Sequence, residues 1–261
     1  MASEPSTSVQ RSIDILFALG DAGAAGRDLG VSEIARAVGR EKSQVSRAMK
    51  TLAASGLVDR DVDTLAYRLG WRLFTLAESA GHHRLVTLAA PALRDLVTRT
   101  GECAHLTVLQ GDHVLTVMTE QSPYGIQVTT WVGRSSPVHA TSSGRALLLA
   151  HSDESIRRLL AETRFDGGGP RAPRTMGALL NRIKQARGRG YALVDEEFEP
   201  GVVAAAAPVF DSRSHIVAAV NVSVPKFRLR RRLETVGHEV KLAADGLSRL
   251  LRESDGRTRP A

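Results

Sequence analysis

The sequence predicts a two-domain protein, with an N-terminal, mainly α-helical winged helix-turn-helix domain and a C-terminal α+β domain. Two observations lead to this prediction. The first segments run helix, helix, tight turn, helix and two short strands within about 65 residues, which is the order of a winged helix-turn-helix. Beyond residue 91, β-rich segments alternate with helical ones, as in an α+β domain.

Composition narrows the class of protein. The chain has 261 residues, 43% of them hydrophobic, so two domains can each bury a core. Its single cysteine, Cys103, excludes an intramolecular disulfide. The longest apolar run, VVAAAAPVF at 202–210, is too short to span a bilayer, and the polar N-terminus MASEPSTSVQ does not resemble a signal peptide. We therefore expect a cytoplasmic protein without a membrane partner.

The location of the charge is more informative than the total of +7. Residues 1–80 hold ten basic and ten acidic side chains, so the first domain is neutral as a whole. Within 36–50, however, a single acidic residue, Glu41, stands among five basic ones: Arg36, Arg40, Lys42, Arg47 and Lys50. This local excess of four positive charges predicts a patch that contacts nucleic acid.

The elements of the first domain follow from periodicity and stop signals. SVQRSIDILFALG (8–20) is predicted as a helix and GDAGAAGRDLG (20–30) as a glycine-rich connector. VSEIARAVG (31–39) is predicted as a short helix with Ser32 as its N-cap and Gly39 at its end. The next helix ends at Gly56, and LVDRDVDTLAYRL supplies the two strands of the wing. The apolar stripe of the helix that ends at Gly56 consists of Val45, Ala48, Met49 and Leu52.

The predicted domain boundaries divide the chain into five parts. These are a disordered tail (1–8), the winged helix-turn-helix domain (9–70), a linker helix (71–90), the α+β domain (91–253) and a second disordered tail (254–261). Pro91 is expected to open a helix of its own. In the α+β domain we expect a hairpin around Gly111-Asp112, a third strand at 126–132 and two buried strands at 202–210 and 215–224. Helices are predicted near 142–151, 153–162, 175–190 and 227–253.

The polar face of the helix beginning near Lys42 predicts how DNA is bound, because the start of a recognition helix enters the major groove. Gln44 can pair with adenine and Arg47 with guanine. Ser43 can donate to a phosphate, and Ser46 is short enough to let the helix approach. The remaining candidates suit the phosphate backbone: Arg40, Lys42, Lys50, Arg60 and Arg68. The alternative is an ordinary solvated face, since any amphipathic helix carries outer charges.

Several segments resemble the IclR family of bacterial transcriptional regulators in order and spacing. They are SVQRSIDILFAL, VSEIARAVGREKSQVSRAMKTLAASGLV, YRLG (67–70), VGRSSPVHATSSGRALLLA (132–150), RGYALVDEEFEPGV (189–202), AAPVFD (206–211) and VAAVNVSVP (217–225). The resemblance implies a GAF-like C-terminal domain that binds a small-molecule effector. It also implies a homodimer or homotetramer on a palindromic double-stranded DNA operator. Repression is the expected mode, with activation on the same scaffold as the alternative.

The resemblance also implies the residues of an effector pocket: Ser142, Ser143, Val194, Val202, Ala204, Asn221 and Ser223. The family often has an acidic residue where this chain has Val194, and cysteine where it has Ala204. Both differences make the pocket less polar, which leads to the hypothesis of a small organic acid with an apolar or aromatic body. The alternatives are that Ser142 and Ser143 only cap a helix and that Asn221 only satisfies a buried backbone group.

An enzyme is the main competing class. Glu196 and Glu197 are neighbours that point to different sides, which makes them a poor acid–base pair with or without Glu199. Ser143 and His139 have no surrounding nucleophile-elbow motif. The sequence has neither a phosphate-binding P-loop nor zinc-ligand spacing, so we expect no catalytic residue, no cofactor and no metal. Apolar residues in excess of the needs of one small domain predict self-association: Leu16, Phe17, Trp71, Leu73, Phe74 and Leu76.

Overall fold

The computed structural model describes residues 7–79, 83–123, 132–229 and 233–257. Contacts divide the chain into two compact units, residues 1–83 and residues 84–261. Each unit has its own hydrophobic core, and each is described by itself below.

The first unit has the predicted order of elements. These are α1 (Thr7–Ala24), α2 (Val31–Ala37), α3 (Lys42–Ala54), β1 (Val58–Arg60), β2 (Tyr67–Leu69) and α4 (Trp71–Ser79). Strands β1 and β2 form an antiparallel ribbon, in which Arg60 pairs with Tyr67. The core is built from one face of each helix and the inner side of the ribbon, including Ile15, Ile34 and Met49. The prediction of a winged helix-turn-helix is confirmed.

Two local predictions in this unit are wrong. Helix α1 continues to Ala24, through the first part of the predicted connector, because Ile15, Leu19 and Ala22 extend its buried stripe. Gly30, and not Ser32, is the N-cap of α2, and Glu33 accepts a hydrogen bond from the Gly30 N–H at 2.9 Å. The predicted helix ends are confirmed, since Gly39 and Gly56 follow α2 and α3 with φ of +62° and +72°.

The second unit is a six-stranded antiparallel sheet with helices on both faces, which confirms the α+β prediction. Its strands are β3 (Cys103–Gln110), β4 (His113–Glu120), β5 (Ser135–Pro137), β6 (Ala192–Asp195), β7 (Val202–Phe210) and β8 (Ile216–Pro225). They lie in the order β5-β4-β3-β8-β7-β6. The helices are α5 (His83–Thr100), α6 (Ser142–Leu147), α7 (Asp153–Leu159), α8 (Met176–Arg189), α9 (Lys226–Leu229) and α10 (Leu233–Arg257).

The alternation of side chains along the strands separates two cores. On β7, Val203, Ala205 and Ala207 pack with α5 and α10, whereas Ala206 faces the opposite side, where α6, α7 and α8 pack. On β3, Ala104 and Leu106 face the α5/α10 core in the same way. The polar residues between them therefore point to the α6 side of the sheet.

The predicted boundaries need three corrections. Pro91 does not open a helix but lies inside α5, since the stripe of Ala89, Leu93 and Leu96 buries both sides of it. The predicted linker helix 71–90 is instead α4 followed by the start of α5, and residues 80–82 lie outside the described residues. The predicted tails are wrong at 7–8 and 254–257, which belong to α1 and α10.

The strands differ from prediction at two places. The strand expected at 126–132 falls almost entirely on residues outside the described ranges, and Val132 itself lies in a turn. Strands β5 and β6, of three and four residues, were not predicted from the sequence. The predicted hairpin is confirmed: Gln110 pairs with His113, and Gly111 has a φ of +60°.

Candidate DNA interface and effector cavity

Helix α3 presents two different faces. Its apolar face is held in the core by Val45 and Met49, both 0% exposed. On the other face Gln44 and Ser46 are half-buried. The remaining predicted DNA contacts of the segment are exposed: Arg40, Lys42, Ser43, Arg47 and Lys50. The helix thus offers short polar and basic side chains to a partner while its position in the domain is fixed.

A shallow groove lies beside the start of α3. Ser32 and Arg36 of α2 line it together with Arg40, Lys42 and Gln44. Its other lining residues are Ala35, Gly39 and the acidic Glu41. With three cationic side chains against one carboxylate, the groove is suited to a phosphate-bearing strand. Arg36 belongs to the basic patch predicted from the sequence, whereas Ser32 was predicted only as an N-cap.

The two arginines of the wing already have partners within the domain. The Arg60 guanidinium lies 5.4 Å from the centre of the Tyr67 ring. Arg68 is 3.5 Å from the Asp28 carboxylate, and both of these side chains are largely exposed. An exposed ion pair contributes little stability, so Arg68 can exchange Asp28 for a phosphate at small cost.

The turn of the wing is acidic. Asp61 accepts hydrogen bonds from the backbone N–H and the hydroxyl of Thr64, at 2.8 and 2.9 Å. These bonds lower the pKa of Asp61 and keep the carboxylate ionised. With Asp63 also in the turn, the base of the wing suits phosphate better than its tip.

A cleft opens on the α6 side of the sheet in the second unit. It encloses about 610 Å³ of space, a volume that includes its open mouth. All seven predicted effector residues line it. Eight further residues that were not predicted also line it: His105, Thr107, Val114, Thr116, Ser136, Thr141, Phe198 and Glu199.

The strand register explains why distant residues meet in this cavity. Ala204 on β7 lies directly between Val194 on β6 and Ser223 on β8. Asn221 on β8 lies opposite His105 on β3. Directly opposed side chains share one face of a sheet, so four neighbouring strands contribute to a single wall.

The start of α6 forms the facing wall. Thr141 is the N-cap, and its hydroxyl oxygen accepts from the Gly144 N–H at 3.0 Å. A Cβ on Gly144 would lie 2.1 Å from the Val138 carbonyl oxygen, so only glycine permits this close approach. Because Thr141 is the N-cap, Ser142 and Ser143 do not cap the helix. Both of them line the cavity. Their N–H groups have no acceptor within the helix.

Asn221 connects the two walls. Its Nδ2 donates to the Ser142 hydroxyl oxygen at 2.8 Å and to the Ala205 carbonyl at 3.1 Å. It therefore satisfies a buried backbone group, as the alternative predicted, and lines the cavity as well. Since the amide holds Ser142 in place, the polar part of the cavity is organised before any ligand enters.

His105 is the titratable group buried most deeply in the cavity wall. It is 2% exposed, and burial lowers its pKa to about 4. The imidazole is therefore neutral at pH 7. The signal that could have found it is the alternation in AHLTV, where His105 and Thr107 fall on the face opposite to Ala104 and Leu106.

A buried ionic cluster joins α6 and α8 to the segment that follows β6. Arg145 of α6 pairs through Nη2 with Glu197 and donates through Nη1 to the Leu193 carbonyl at 3.2 Å. Arg182 of α8 contacts the same carboxylate at 2.8 Å. Arg145 itself is only 1% exposed, so its charge is buried within the unit and does not belong to the surface.

Two further observations concern alternative functions. His139 does not line the cavity; its Nε2 lies 3.1 Å from the Gly167 carbonyl oxygen. Within the described ranges, no three His, Cys, Asp or Glu side chains are placed to hold a metal ion. No helix in the same ranges is long and apolar enough to cross a membrane.

The fold and these two sites define a helix-turn-helix transcriptional regulator with a separate ligand-binding unit. Residues 8–62 match the model of the IclR helix-turn-helix domain, and residues 77–249 match that described as bacterial transcriptional regulator IclR C-terminal. The chain belongs to the IclR family of bacterial transcriptional regulators.

Individual relatives agree with this assignment. The chain is 34% identical over 242 residues to the HTH-type transcriptional regulator BhcR of Paracoccus denitrificans, covering 92% of this chain and 85% of BhcR. It is 26% identical over 253 residues to the HTH-type transcriptional repressor AllR of Escherichia coli, covering 96% and 92%. An IclR homolog from Microbacterium hydrocarbonoxydans, crystallised with 4-hydroxybenzoate, has the same fold. It matches with a TM-score of 0.77 and 24% identity over 95% of this chain and 100% of its own.

Proposed function

We propose that this regulator is a repressor whose affinity for a palindromic operator is controlled by a small organic acid in the cavity of its second unit. The observation that supports this most strongly is the convergence of all seven predicted effector residues on one cavity. Those residues are distributed over 82 positions of the sequence, from Ser142 to Ser223, and the sheet register brings them together.

The chemistry of the cavity favours a carboxylate held by neutral donors. Neither lysine nor arginine is among the described residues that line it. Hydrogen-bond donors are instead available from the Ser142 and Ser143 N–H groups and from the Ser223 hydroxyl, close to the positive end of a short helix. Val114, Val194, Phe198, Val202 and Ala204 provide apolar surface for the body of the acid.

The DNA contacts divide by role. Gln44 and Arg47 would read base edges, while Ser43 and the basic residues around α3 and the wing would contact phosphates. A two-fold symmetric dimer would place two recognition helices on the two halves of a palindrome. Exposed apolar side chains of the first unit offer the surface for such pairing: Phe17, Trp71, Phe74 and Leu76. Such a protein would act in the cytoplasm, where bacterial DNA is.

Repression is supported by the relation to AllR, which is described as a repressor. The alternative is activation from the same scaffold, and the direction of the response in a reporter strain would distinguish the two. An enzymatic role has less support. Ser223 and His105 lie 3.0 Å apart, as a nucleophile and a base would, but an imidazole with a pKa of about 4 is a weak base at neutral pH.

The test is fluorescence polarisation on labelled DNA from upstream of the gene, with a scrambled duplex as control. We expect specific retention at about 0.1 M salt. A panel of pyruvate, succinate, benzoate and 4-hydroxybenzoate would then be titrated; the last is included because the Microbacterium homolog was crystallised with it. We expect the acids with apolar bodies to release the DNA at lower concentrations. Release by only the most polar acids would contradict the effector class, and absence of specific retention would contradict operator binding.

A further inference from the structure

A polar bridge crosses three neighbouring strands in the wall of the cavity. The Nδ1 of His105 on β3 lies 2.9 Å from the hydroxyl oxygen of Thr119 on β4. Its Nε2 lies 3.0 Å from the hydroxyl oxygen of Ser223 on β8. His105 and Ser223 both line the cavity, so the ring connects a hydroxyl that a ligand can reach to a second hydroxyl on its far side.

A β-bulge brings Thr119 into this bridge. Strands β3 and β4 pair regularly as far as Thr107 and Thr116, and the next pair is Leu106 with Met118. The extra residue exchanges the faces of β4 beyond this point, so that Thr119 lies opposite His105. In a regular ladder Met118 would hold that place, and Nδ1 would have a thioether in place of a hydroxyl. The irregular strand thus supplies the hydroxyl partner of Nδ1.

A neutral imidazole makes the two ends of this bridge dependent on each other. It has one N–H and one nitrogen lone pair, whereas a hydroxyl can donate or accept. If Nε2 carries the proton, it donates to Ser223 and Nδ1 accepts from Thr119, so the Ser223 O–H is free to donate into the cavity. If Nδ1 carries the proton, it donates to Thr119. Ser223 then donates to Nε2 and offers the cavity only lone pairs.

We propose that His105 is a specificity-determining residue, which sets whether Ser223 donates or accepts a hydrogen bond toward a molecule in the cavity. This inference rests on the proposed function of the cavity as an effector site. A carboxylate has only acceptors, so it selects the form with the proton on Nε2 and Ser223 donating. A ligand hydroxyl that donates selects the opposite form. Because an acid and the corresponding alcohol select opposite forms of the ring, the form that the bridge favours sets which of the two the cavity prefers.

The first test needs no ligand. Proton position on the ring of His105 is measured from ¹⁵N spectra of the full-length protein labelled at histidine, for wild type, Ser223→Ala and Thr119→Val. Loss of the Ser223 hydroxyl should shift the ring toward the Nδ1–H form, because only Thr119 remains as partner. Loss of the Thr119 hydroxyl should shift it toward Nε2–H. Opposite shifts support the bridge; identical spectra, or shifts in the same direction, overturn it.

The second test measures selectivity with two matched pairs of probes: benzoate with benzyl alcohol, and 4-hydroxybenzoate with 4-hydroxybenzyl alcohol. Their affinities are determined by calorimetry for wild type, His105→Gln and His105→Phe. Gln can still donate to Ser223, so it should keep the preference for acid. Phe cannot, and it should weaken acid binding by about tenfold while changing alcohol binding much less. Equal losses for acid and alcohol in His105→Phe would overturn the proposal.

The two tests separate this inference from the proposed function. If none of these four probes binds wild type and no acid of the polarisation panel releases DNA, the effector class is wrong. The ligand-free spectra still decide whether His105 links the two hydroxyls. If acids bind but the spectra show no opposite shifts, the cavity is an effector site and His105 has only a packing role in it. Should His105→Phe fail to fold, Ser223→Ala and Thr119→Val still provide the spectral test.

Discussion

Arg145 and Glu197 form an ion pair inside the second unit, with side chains that are 2% and 3% exposed. The pair joins α6, whose first residues line one wall of the cavity, to the segment between β6 and β7, whose Phe198 and Glu199 line another. Two cavity walls that are distant in sequence are therefore connected by one buried contact. Its loss should affect both the stability of the unit and the shape of the cavity.

Glu197→Gln should be strongly destabilising, because it leaves the guanidinium of Arg145 buried without a counter-charge. Removing one partner of a buried pair typically costs about 3–5 kcal/mol. Urea unfolding followed by circular dichroism measures the change. Arg182→Gln is the matched control, since Arg182 contacts the same carboxylate with a side chain that is 42% exposed. Its cost should be below about 1 kcal/mol, and equal costs for both variants would contradict a central role for the buried pair.

Arg47→Ala and Lys50→Ala should weaken DNA binding in different ways. Arg47 is proposed to read a base, so its loss should reduce discrimination between operator and scrambled DNA by about 1–3 kcal/mol. Lys50 is proposed to contact phosphate, so its loss should weaken both complexes equally and reduce the slope of log affinity against log salt by about one. Polarisation titrations at several salt concentrations measure both quantities.

The control for these variants is Arg249→Ala, which removes an exposed arginine from α10. It should leave affinity and discrimination near the wild-type values. If Arg249→Ala weakens operator binding as much as Arg47→Ala does, the effect of the latter comes from total charge and not from a base contact.

The sequence predicted those parts of the fold that depend on short-range patterns. The stripe on α3 and the glycine stop signals at Gly39 and Gly56 are local features, and the structure confirms them. The wrong boundaries have a tertiary cause. Pro91 interrupts local helix propensity, but the buried residues on both sides of it stabilise α5 through packing against the sheet.

The cavity was predictable only in part. Its seven predicted residues came from a family resemblance, while His105 and Thr107 could have been found from the alternation along β3. Arg145 and Glu197 could not have been paired, because 52 residues separate them and no local pattern encodes their contact. The role of Thr119 depends on a bulge, which shifts the face of every later residue and leaves no simple signal in the sequence.

Stability should fall as the pH decreases from about 7 to 4, with a contribution from His105. Burial lowers its pKa to about 4 in the folded protein, from 6.5 for an unperturbed histidine. The unfolded chain therefore binds a proton in this window that the folded protein does not. The stabilisation is fully present above pH 6.5 and is lost as the pH falls toward 4, by up to about 3 kcal/mol.

Unfolding free energies of wild type and His105→Gln from pH 7 to pH 4 provide the measurement. The variant should show a shallower decrease, because it lacks the buried imidazole. The hydrogen-bond partners of His105 are the uncharged hydroxyls of Thr119 and Ser223. The carboxyl group among the cavity residues belongs to Glu199, which is exposed. His215→Gln, at a largely exposed side chain, controls for removal of a histidine. Parallel curves for wild type and His105→Gln would contradict the prediction.

Ala204→Leu should weaken the response to effector strongly while leaving operator binding intact. Ala204 lies on β7 between Val194 and Ser223, and its side chain points into the cavity. The larger side chain would occupy the space next to the Ser223 hydroxyl, where the acid is proposed to bind. Because the cavity is open, this costs less stability than the 1–3 kcal/mol or so of overpacking a filled core.

In the polarisation assay, operator affinity should stay within about twofold, whereas the acid concentration needed for release should rise by tenfold or more. Ala204→Ser adds a single oxygen and should remain responsive. Release by the same acid at unchanged concentration from Ala204→Leu would show that the effector binds elsewhere.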